Sequence, residues 1–507
     1  MLTSDRMRIV MAASEAVPFS KTGGLADVST ALAKALDALG HDVTIIIPDY
    51  RELRLKQQEK LPTVADTGMR FSLSMNGRYV NGGVNWTMLP DTSVKVLMIS
   101  QPYYFDRPQL YMEAGEGYRD SCERYCFFSR AVLEVCQQMV LRPDIIHCND
   151  WQTGLIPALL HAHHARRPGF ENAASVMTLH NMAYQGRFWH LDMHLTAMEW
   201  RYFNMRQMEM FGDLNLLKTG IAFADQVTTV SPTYAKEICS PEGGEGLDSL
   251  LTYRNGDLVG ILNGIDDTVW DPSADPHLPA HYSTAAIKPG KAECKAALQK
   301  RVGLPDRPNV PLFGMVSRMS DQKGLDLLAD CADRLLFHDI QMVFLGTGDP
   351  HFENFLQHLA EHNPGKVAAV IGFDDGLAHQ IEAGVDSFLM PSRFEPCGLN
   401  QMYSLRYGTL PVVRLVGGLA DSVVDVNPAT IQDNTATGFV FEEYSSTALA
   451  EAVERAVEVY RQPDVWHQLM INGMSIDWSW HTSAMRYADV YRQALERRHD
   501  RANDGRE

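Results

Sequence analysis

Arg318 and Lys323 stand five positions apart in Ser317–Gly324, SRMSDQKG. A planar guanidinium fork and a compact ammonium on one loop suit a diphosphate. Two solvated surface charges would leave the same trace. A second run, Pro391–Asn400 (PSRFEPCGLN), follows the apolar residues FLM and sets Glu395 just ahead of a Cys-Gly turn. Glu395 there can hold sugar hydroxyls, while the backbone N–H groups of Cys397, Gly398, Leu399 and Asn400, opening a helix, can face a phosphate. Cys397 as a nucleophile would need a positioned His, and the run offers none, so packing suits it better. In Ser20–Val28 (SKTGGLADV), Gly23 and Gly24 let a ligand approach the backbone closely, Lys21 adds a positive charge and Asp27 an acceptor. Two glycines at a strand-to-helix corner also satisfy turn geometry alone. The string GGLAD returns at Gly417–Asp421, either as an analogous corner or by chance. His180 ends an apolar run in TLHNMAYQG, a position where a lone His is more often structural than catalytic. Asp150-Trp151 in HCNDW offers a carboxylate for hydroxyls beside a ring for a sugar face, or else a buried Trp with a capping Asp. Tyr103, Tyr104 and Phe105, followed by Asp106 and Arg107, form a patch of the same kind.

Such loops need strands that end in front of them. Arg8–Ala13 reads as a buried strand, and Val28–Leu39 as a helix with Val28, Leu32, Ala35, Leu36 and Leu39 on one face. Gly40 sits where a left-handed stop is usual, and Val43–Ile47 is the next strand. Strands follow at Asp144–His147, Ser175–Leu179, Gln226–Val230 and Leu258–Leu262, the third ending at a Ser231-Pro232 helix start. A second series runs through Leu312–Val316, Met342–Leu345, Val367–Ile371, Ser387–Met390 and Leu410–Val413. Thr447–Tyr460 and Thr482–Arg498 are amphipathic helices, and the polar tail Arg498–Glu507 is expected to fray. The alternation predicts an α/β fold of two Rossmann-like doubly wound domains, with ligands at the carboxyl ends of the strands. Residues 1–265 form the first domain and 291–481 the second, with a proline-containing linker at 266–290 and the last helix, 482–498, packing back on the first domain.

Composition narrows the classes of function. The 507 residues carry 45 Lys and Arg against 63 Asp and Glu, a net charge of −18. Nucleic acid and anionic membrane both need clustered cations, so neither is an expected partner. No apolar run approaches the ~20 residues that span a bilayer. The N-terminal apolar stretch, broken by Glu15, reads as a strand and not as a signal peptide. Eight Cys are too sparse for a disulfide scaffold, which points to the reducing cytoplasm. The CxxxC pair Cys122 and Cys126 has no second Cys/His pair nearby, so a structural zinc is not expected. Neither GxGxxG nor GxxxxGK[ST] occurs at the glycine loop, which argues against an NAD-dependent oxidoreductase. No Asp-x-Asp occurs either, so a diphosphate would be neutralised by Lys and Arg rather than through a divalent metal.

In order along the chain, KTGGLADV, HCNDWQTGL, LHNMAYQG, TVSPTYAKEI, LNGID, SRMSDQKG, SRFEPCGLNQ and GGLADSV resemble the bacterial glycogen synthases and plant starch synthases, from about Arg8 to about Trp480. The resemblance implies two facing Rossmann-like domains in the GT-B arrangement of retaining glycosyltransferases. It implies transfer of glucose from a nucleotide sugar to the non-reducing end of an α-1,4-glucan such as glycogen, without cofactor or metal. By the same resemblance Lys21 contacts the donor phosphate, Arg318 and Lys323 clamp the diphosphate, and Glu395 orients the glucosyl unit. His180 lies beside the anomeric carbon, Asn263 lines the cleft and Phe373 stacks on the nucleobase. Gly24, Asp27 and Asp150 are counted with the substrate contacts. The chain departs from the usual pattern at Asn400 (commonly Thr), Asn149 (often His in bacteria) and Phe105 (commonly Tyr). Tyr403 stands where wider relatives carry a second Glu. ADP-glucose follows from the bacterial resemblance, while the residues themselves leave UDP-glucose open. A catalytically silent glucan-binding protein is the other reading, and the joint presence of Lys21, Arg318, Lys323 and Glu395 argues against it.

Overall fold

The structure, a computed structural model, describes residues 6–56, 61–113 and 115–503. They divide into unit 1, Met1–Asn263 with Trp480–Glu507, and unit 2, Gly264–Ser479.

Unit 1 is built on strands β1 (Arg8–Ala12), β2 (Asp42–Pro48), β3 (Ala65–Met75), β4 (Arg78–Met88), β5 (Lys95–Ser100), β6 (Ile145–Asn149), β7 (Ala174–Leu179), β8 (Gln226–Thr229) and β9 (Leu258–Gly260). They form one sheet in the order β9-β8-β7-β6-β1-β2-β5-β4-β3. The strands from β9 to β5 run parallel, with Ile9 paired to Val43 on one side and Ile145 on the other. Helices cover both faces, so these strands are continuous apolar runs and Ile9–Ala12 are buried. In this sheet β4 alone runs against the others, antiparallel to both β5 and β3, and β3 and β4 form an edge hairpin whose turn places Asn76 and Gly77 at φ 47° and 73°. The helix Gly24–Ala38 buries Val28, Leu32 and Leu36, each worth roughly 1.5–3 kcal/mol when removed from water. Gly40 follows it at φ 91°. The terminal helix Trp480–Asn503 shares that core through Tyr487, Ala488 and Tyr491. Of the tail expected to fray, 498–503 continue this helix and 504–507 lie outside the described residues.

Unit 2 contains β10 (Leu312–Val316), β11 (Gln341–Gly346), β12 (Val367–Ile371), β13 (Ser387–Met390), β14 (Leu410–Arg414) and β15 (Phe439–Phe441). All are parallel, in the order β12-β11-β10-β13-β14-β15. The stretch 266–290, read as a linker, is packed inside this unit. Tyr282 donates to the Tyr407 carbonyl at 2.9 Å, and Asp275 accepts the Tyr407 hydroxyl at 2.6 Å. The Trp270 ring lies between those of His379 and Tyr403, with centroids 3.9 and 3.8 Å away. Tyr403 therefore packs against an indole in the position where wider relatives carry a carboxylate.

In both sheets the strand order reverses at the first strand of the unit. β1 lies between β2 and β6, and β10 lies between β11 and β13. The crossovers depart in opposite directions there, leaving the carboxyl-end loops uncovered, which is where open α/β sheets hold ligands.

Candidate active site

The unit 2 crevice is made by the loops after β10 and β13. Gly324 sits at φ 73°, and an added Cβ would come 2.0 Å from the Pro391 carbonyl oxygen, so only glycine lets the two loops lie together. They are cross-braced by Arg393 N–H to Gln322 O at 2.8 Å and by Gln322 Nε2 to Phe394 O at 3.2 Å. This brings together Lys323 and Glu395, which stand 72 residues apart: Nζ donates to Oε2 at 2.6 Å. Ser392 Oγ donates to the same oxygen at 3.0 Å. Glu395 is 6% exposed, and these two donors offset the cost of burying its carboxyl group. The repeated GGLAD string forms the floor. Gly417, at φ 44°, would place a Cβ 2.0 Å from the Glu395 carbonyl oxygen, and Gly418 N–H donates to that oxygen at 3.1 Å. Arg318 is exposed and has neither an ion pair nor a hydrogen bond among the described residues. Phe373, in the loop after β12, is 90% exposed.

Cys397 is buried, Gly398 turns the chain at φ 70°, and Leu399 precedes the helix Asn400–Arg406 without capping it by side chain. Asn400 Nδ2 donates to the Val316 carbonyl at 2.8 Å, so its amide ties this helix to the end of β10.

In unit 1 the loops after β1, β6 and β7 converge. Asp150 takes φ 56° and ψ −177°, a conformation that costs a non-glycine residue ~1–3 kcal/mol and that clusters at functional sites. Its carboxylate accepts the His180 backbone N–H at 2.8 Å. Burial, with the nearby Glu15 charge, pushes Asp150 up to about 7 against the pull of the His180 and Asn181 N–H groups. His180 Nε2 meets Asn149 Oδ1 at 3.0 Å, and Asn149 Nδ2 donates to Ala12 O at 3.1 Å. That network places the His180 proton on Nε2 and leaves Nδ1 an acceptor. Burial pulls His180 down to about 4, so the ring is neutral near pH 7. Lys21 and Asp27, both partly open, pair at 2.8 Å across the start of the Gly24–Ala38 helix, whose first residue, Gly24, is exposed. Asn263 is 6% exposed, and its Oδ1 has no hydrogen-bond partner among the described residues.

The sequence reading passed over Glu15, which organises this glycine loop. It accepts the Thr22 N–H and hydroxyl, the latter at 2.7 Å, the Gly23 N–H at 3.4 Å, and the Tyr111 hydroxyl. Its signal was an acidic residue directly behind a buried strand. The patch at 103–107 is different from the carbohydrate surface suggested for it. Tyr104 and Phe105 are buried among Tyr50, Phe127 and Phe128, and only Tyr103 is exposed. His147 is also structural, held between Tyr491 OH at 2.8 Å and Thr178 Oγ1 at 2.6 Å.

Comparison with known proteins covers nearly the whole chain. The family described as starch synthase catalytic domain matches residues 8–253, and glycosyl transferases group 1 matches residues 298–468. The glycogen synthase of Anaeromyxobacter dehalogenans (strain 2CP-C) is 48% identical over 487 residues, covering 96% of this chain and 99% of the relative. Glycogen synthase 1 of Methylococcus capsulatus is 46% identical over 495 residues, covering 96% and 97%. The catalytic domain of starch synthase IV from Arabidopsis thaliana, solved with ADP and acarbose, superposes with a TM-score of 0.88 at 34% identity, over 97% of this chain and 100% of that one. The fold is of the GT-B class. No helix among the described residues is long and apolar enough to cross a membrane.

Proposed function

The chain belongs to the glycogen synthase family of glycosyltransferases, and we propose that it transfers glucose from ADP-glucose to the non-reducing end of an α-1,4-glucan with retention of configuration. The observation that carries the reading is the Lys323–Glu395 pair at the unit 2 switch point, with the charge of Arg318 left uncompensated on the same loop. A diphosphate supplies what that geometry lacks, and its arrival draws Lys323 from Glu395 toward phosphate. The starch synthase IV domain bound to ADP and acarbose supports the same class of donor and acceptor.

In this mechanism the donor's C1–O bond breaks and ADP leaves with the electron pair, its charge held by Arg318 and Lys323, with Lys21 as a further cation on the donor phosphate. The glucan 4-hydroxyl oxygen forms the new bond to C1 on the same face, and its proton passes to the departing phosphate oxygen. Glu395 orients the glucosyl hydroxyls and stabilises the cationic sugar. His180, neutral and with Nδ1 unprotonated, accepts a sugar hydroxyl without adding a positive charge next to the developing cation. Asn263 Oδ1 and Asp150 are further acceptors for hydroxyls, and Phe373 stacks on the base. The cytoplasm is the compartment proposed, on eight cysteines without a disulfide, seven of them buried.

The test is incubation with glycogen and either ADP-glucose or UDP-glucose in the presence of chelator, measuring nucleotide release and product linkage. ADP release with new α-1,4 linkages is expected. Absence of release from both donors, or a β-linked product, would overturn the reading, and faster release from UDP-glucose would overturn the choice of donor.

A further inference from the structure

We propose that His277, Asp375 and His379 of unit 2 form a divalent metal site of the zinc type. Donor atoms of the three side chains lie within 4.8 Å of one another. A tetrahedral ion with bonds of ~2.0–2.1 Å draws its ligands to about 3.4 Å apart. Rotation of the exposed His277 and Asp375 side chains closes that difference while the buried His379 stays fixed.

His379 is already arranged as a ligand. Its Nδ1 meets Asp275 Oδ2 at 2.7 Å, so the neutral ring carries its proton on Nδ1 and offers Nε2, which has no hydrogen bond among the described residues, to an ion. The Asp275 side chain is fully buried and accepts three hydrogen bonds, the other two coming from Tyr407 OH at 2.6 Å and His277 N–H at 2.9 Å. A carboxylate that fixes tautomer and ring orientation from behind is the usual support of a metal-ligating histidine. The Trp270 face, 3.9 Å away and within 5° of parallel, holds the ring plane. The His277 ring stands 4.8 Å from that of His379, and neither its nitrogens nor the Asp375 carboxylate takes a hydrogen bond among the described residues. Residue 376 is glycine, and a Cβ there would press on His277 Nδ1 at 3.2 Å. Arg301 pairs with Asp374 at 2.6 Å, and the carboxylates around the site are those of Asp275, Asp374 and Asp375. Two imidazoles, one carboxylate and a water make a four-coordinate set that zinc accepts and magnesium does not favour. A bound ion fastens the stretch around residue 277 to the helix Asp375–Gly384, two residues beyond Phe373.

The experiment is titration of chelator-treated full-length protein with Zn2+ by calorimetry and with Co2+ by visible absorption. One equivalent is expected, with the intense bands of four-coordinate cobalt. His277→Ala and Asp375→Asn, both at exposed positions, are each expected to weaken binding at least ~tenfold and remove those bands while leaving the thermal midpoint without metal unchanged. No stoichiometric binding by the wild type, a weak octahedral cobalt spectrum, or undiminished binding by the double variant would each overturn the site. The last outcome would assign the binding to other His or Cys side chains.

Discussion

Replacing Lys323 with alanine tests the proposed diphosphate clamp and separates its catalytic from its structural part. The ammonium lies 2.6 Å from Glu395 Oε2, with the two side chains 20% and 8% exposed. An open ion pair is worth ~0–1 kcal/mol and breaking a fully buried one costs ~3–5 kcal/mol. This half-open pair, with Ser392 still donating to the carboxylate, falls between them, at about 2 kcal/mol of stability. The catalytic loss is larger in consequence. Removing one preorganised donor to a leaving group lowers turnover about 10²-fold, or ~2.7 kcal/mol of transition-state stabilisation. Steady-state kinetics with ADP-glucose and glycogen, run beside thermal unfolding, read both effects. The double variant Lys323→Ala/Glu395→Gln removes the stranded carboxylate, so its unfolding midpoint recovers while its kcat does not. A kcat for Lys323→Ala within about threefold of wild type would refute the clamp, and parallel recovery of stability and activity in the double variant would reduce the pair to a structural brace.

Phe373→Ala leaves the fold intact, because the ring is 90% exposed, within ~0.5 kcal/mol. Loss of base stacking raises KM for the nucleotide sugar about tenfold with kcat kept, and an unchanged KM would remove Phe373 from the donor site. Gly417→Ala forces a Cβ against the Glu395 carbonyl and strains a positive φ, so kcat falls together with ~1–3 kcal/mol of stability. A fully stable, fully active variant would show that the floor does not position Glu395. Asp150 is raised in the folded state to about 7 from 3.8, so the native protein holds a proton there that the unfolded chain has lost. Its contribution is present below pH 4 and is lost as pH rises to about 7. Asp150→Asn therefore gains unfolding temperature relative to wild type across that window, and a pH-independent difference would contradict the burial of this carboxylate.

Local chemistry was readable because the loops announce themselves. SRMSDQKG and SRFEPCGLN each stand directly behind a short apolar run, and in a parallel sheet polar residues there lie at carboxyl ends of strands. What joins the two loops is strand order. β10 and β13 are neighbours in the sheet while two strands intervene in the chain, so no spacing rule brings Lys323 to Glu395. Glu15 was hidden for the opposite reason: it belongs to the chemistry-bearing loop but looks like an interruption of a strand, and only its bonds to Thr22 and Gly23 show that it holds the glycines open. The hairpin β3–β4 escaped because its half-exposed residues dilute the apolar signal, although Asn76-Gly77 carries the turn preference of a tight hairpin. Tyr104 and Phe105 misled for want of a third dimension, since an aromatic run beside Asp and Arg reads alike whether its rings face a sugar or the core. The glycines of the second GGLAD string join the two kinds of information. Their type is visible in the chain, but their necessity comes from the Glu395 and Cys397 carbonyls, each 2.0 Å from where a Cβ would stand. Close backbone approach thus requires the glycines of the second copy alone, since at Gly23 and Gly24 an added Cβ would meet nothing within 4 Å, and the residue the second copy supports is the carboxylate on which the proposed chemistry turns.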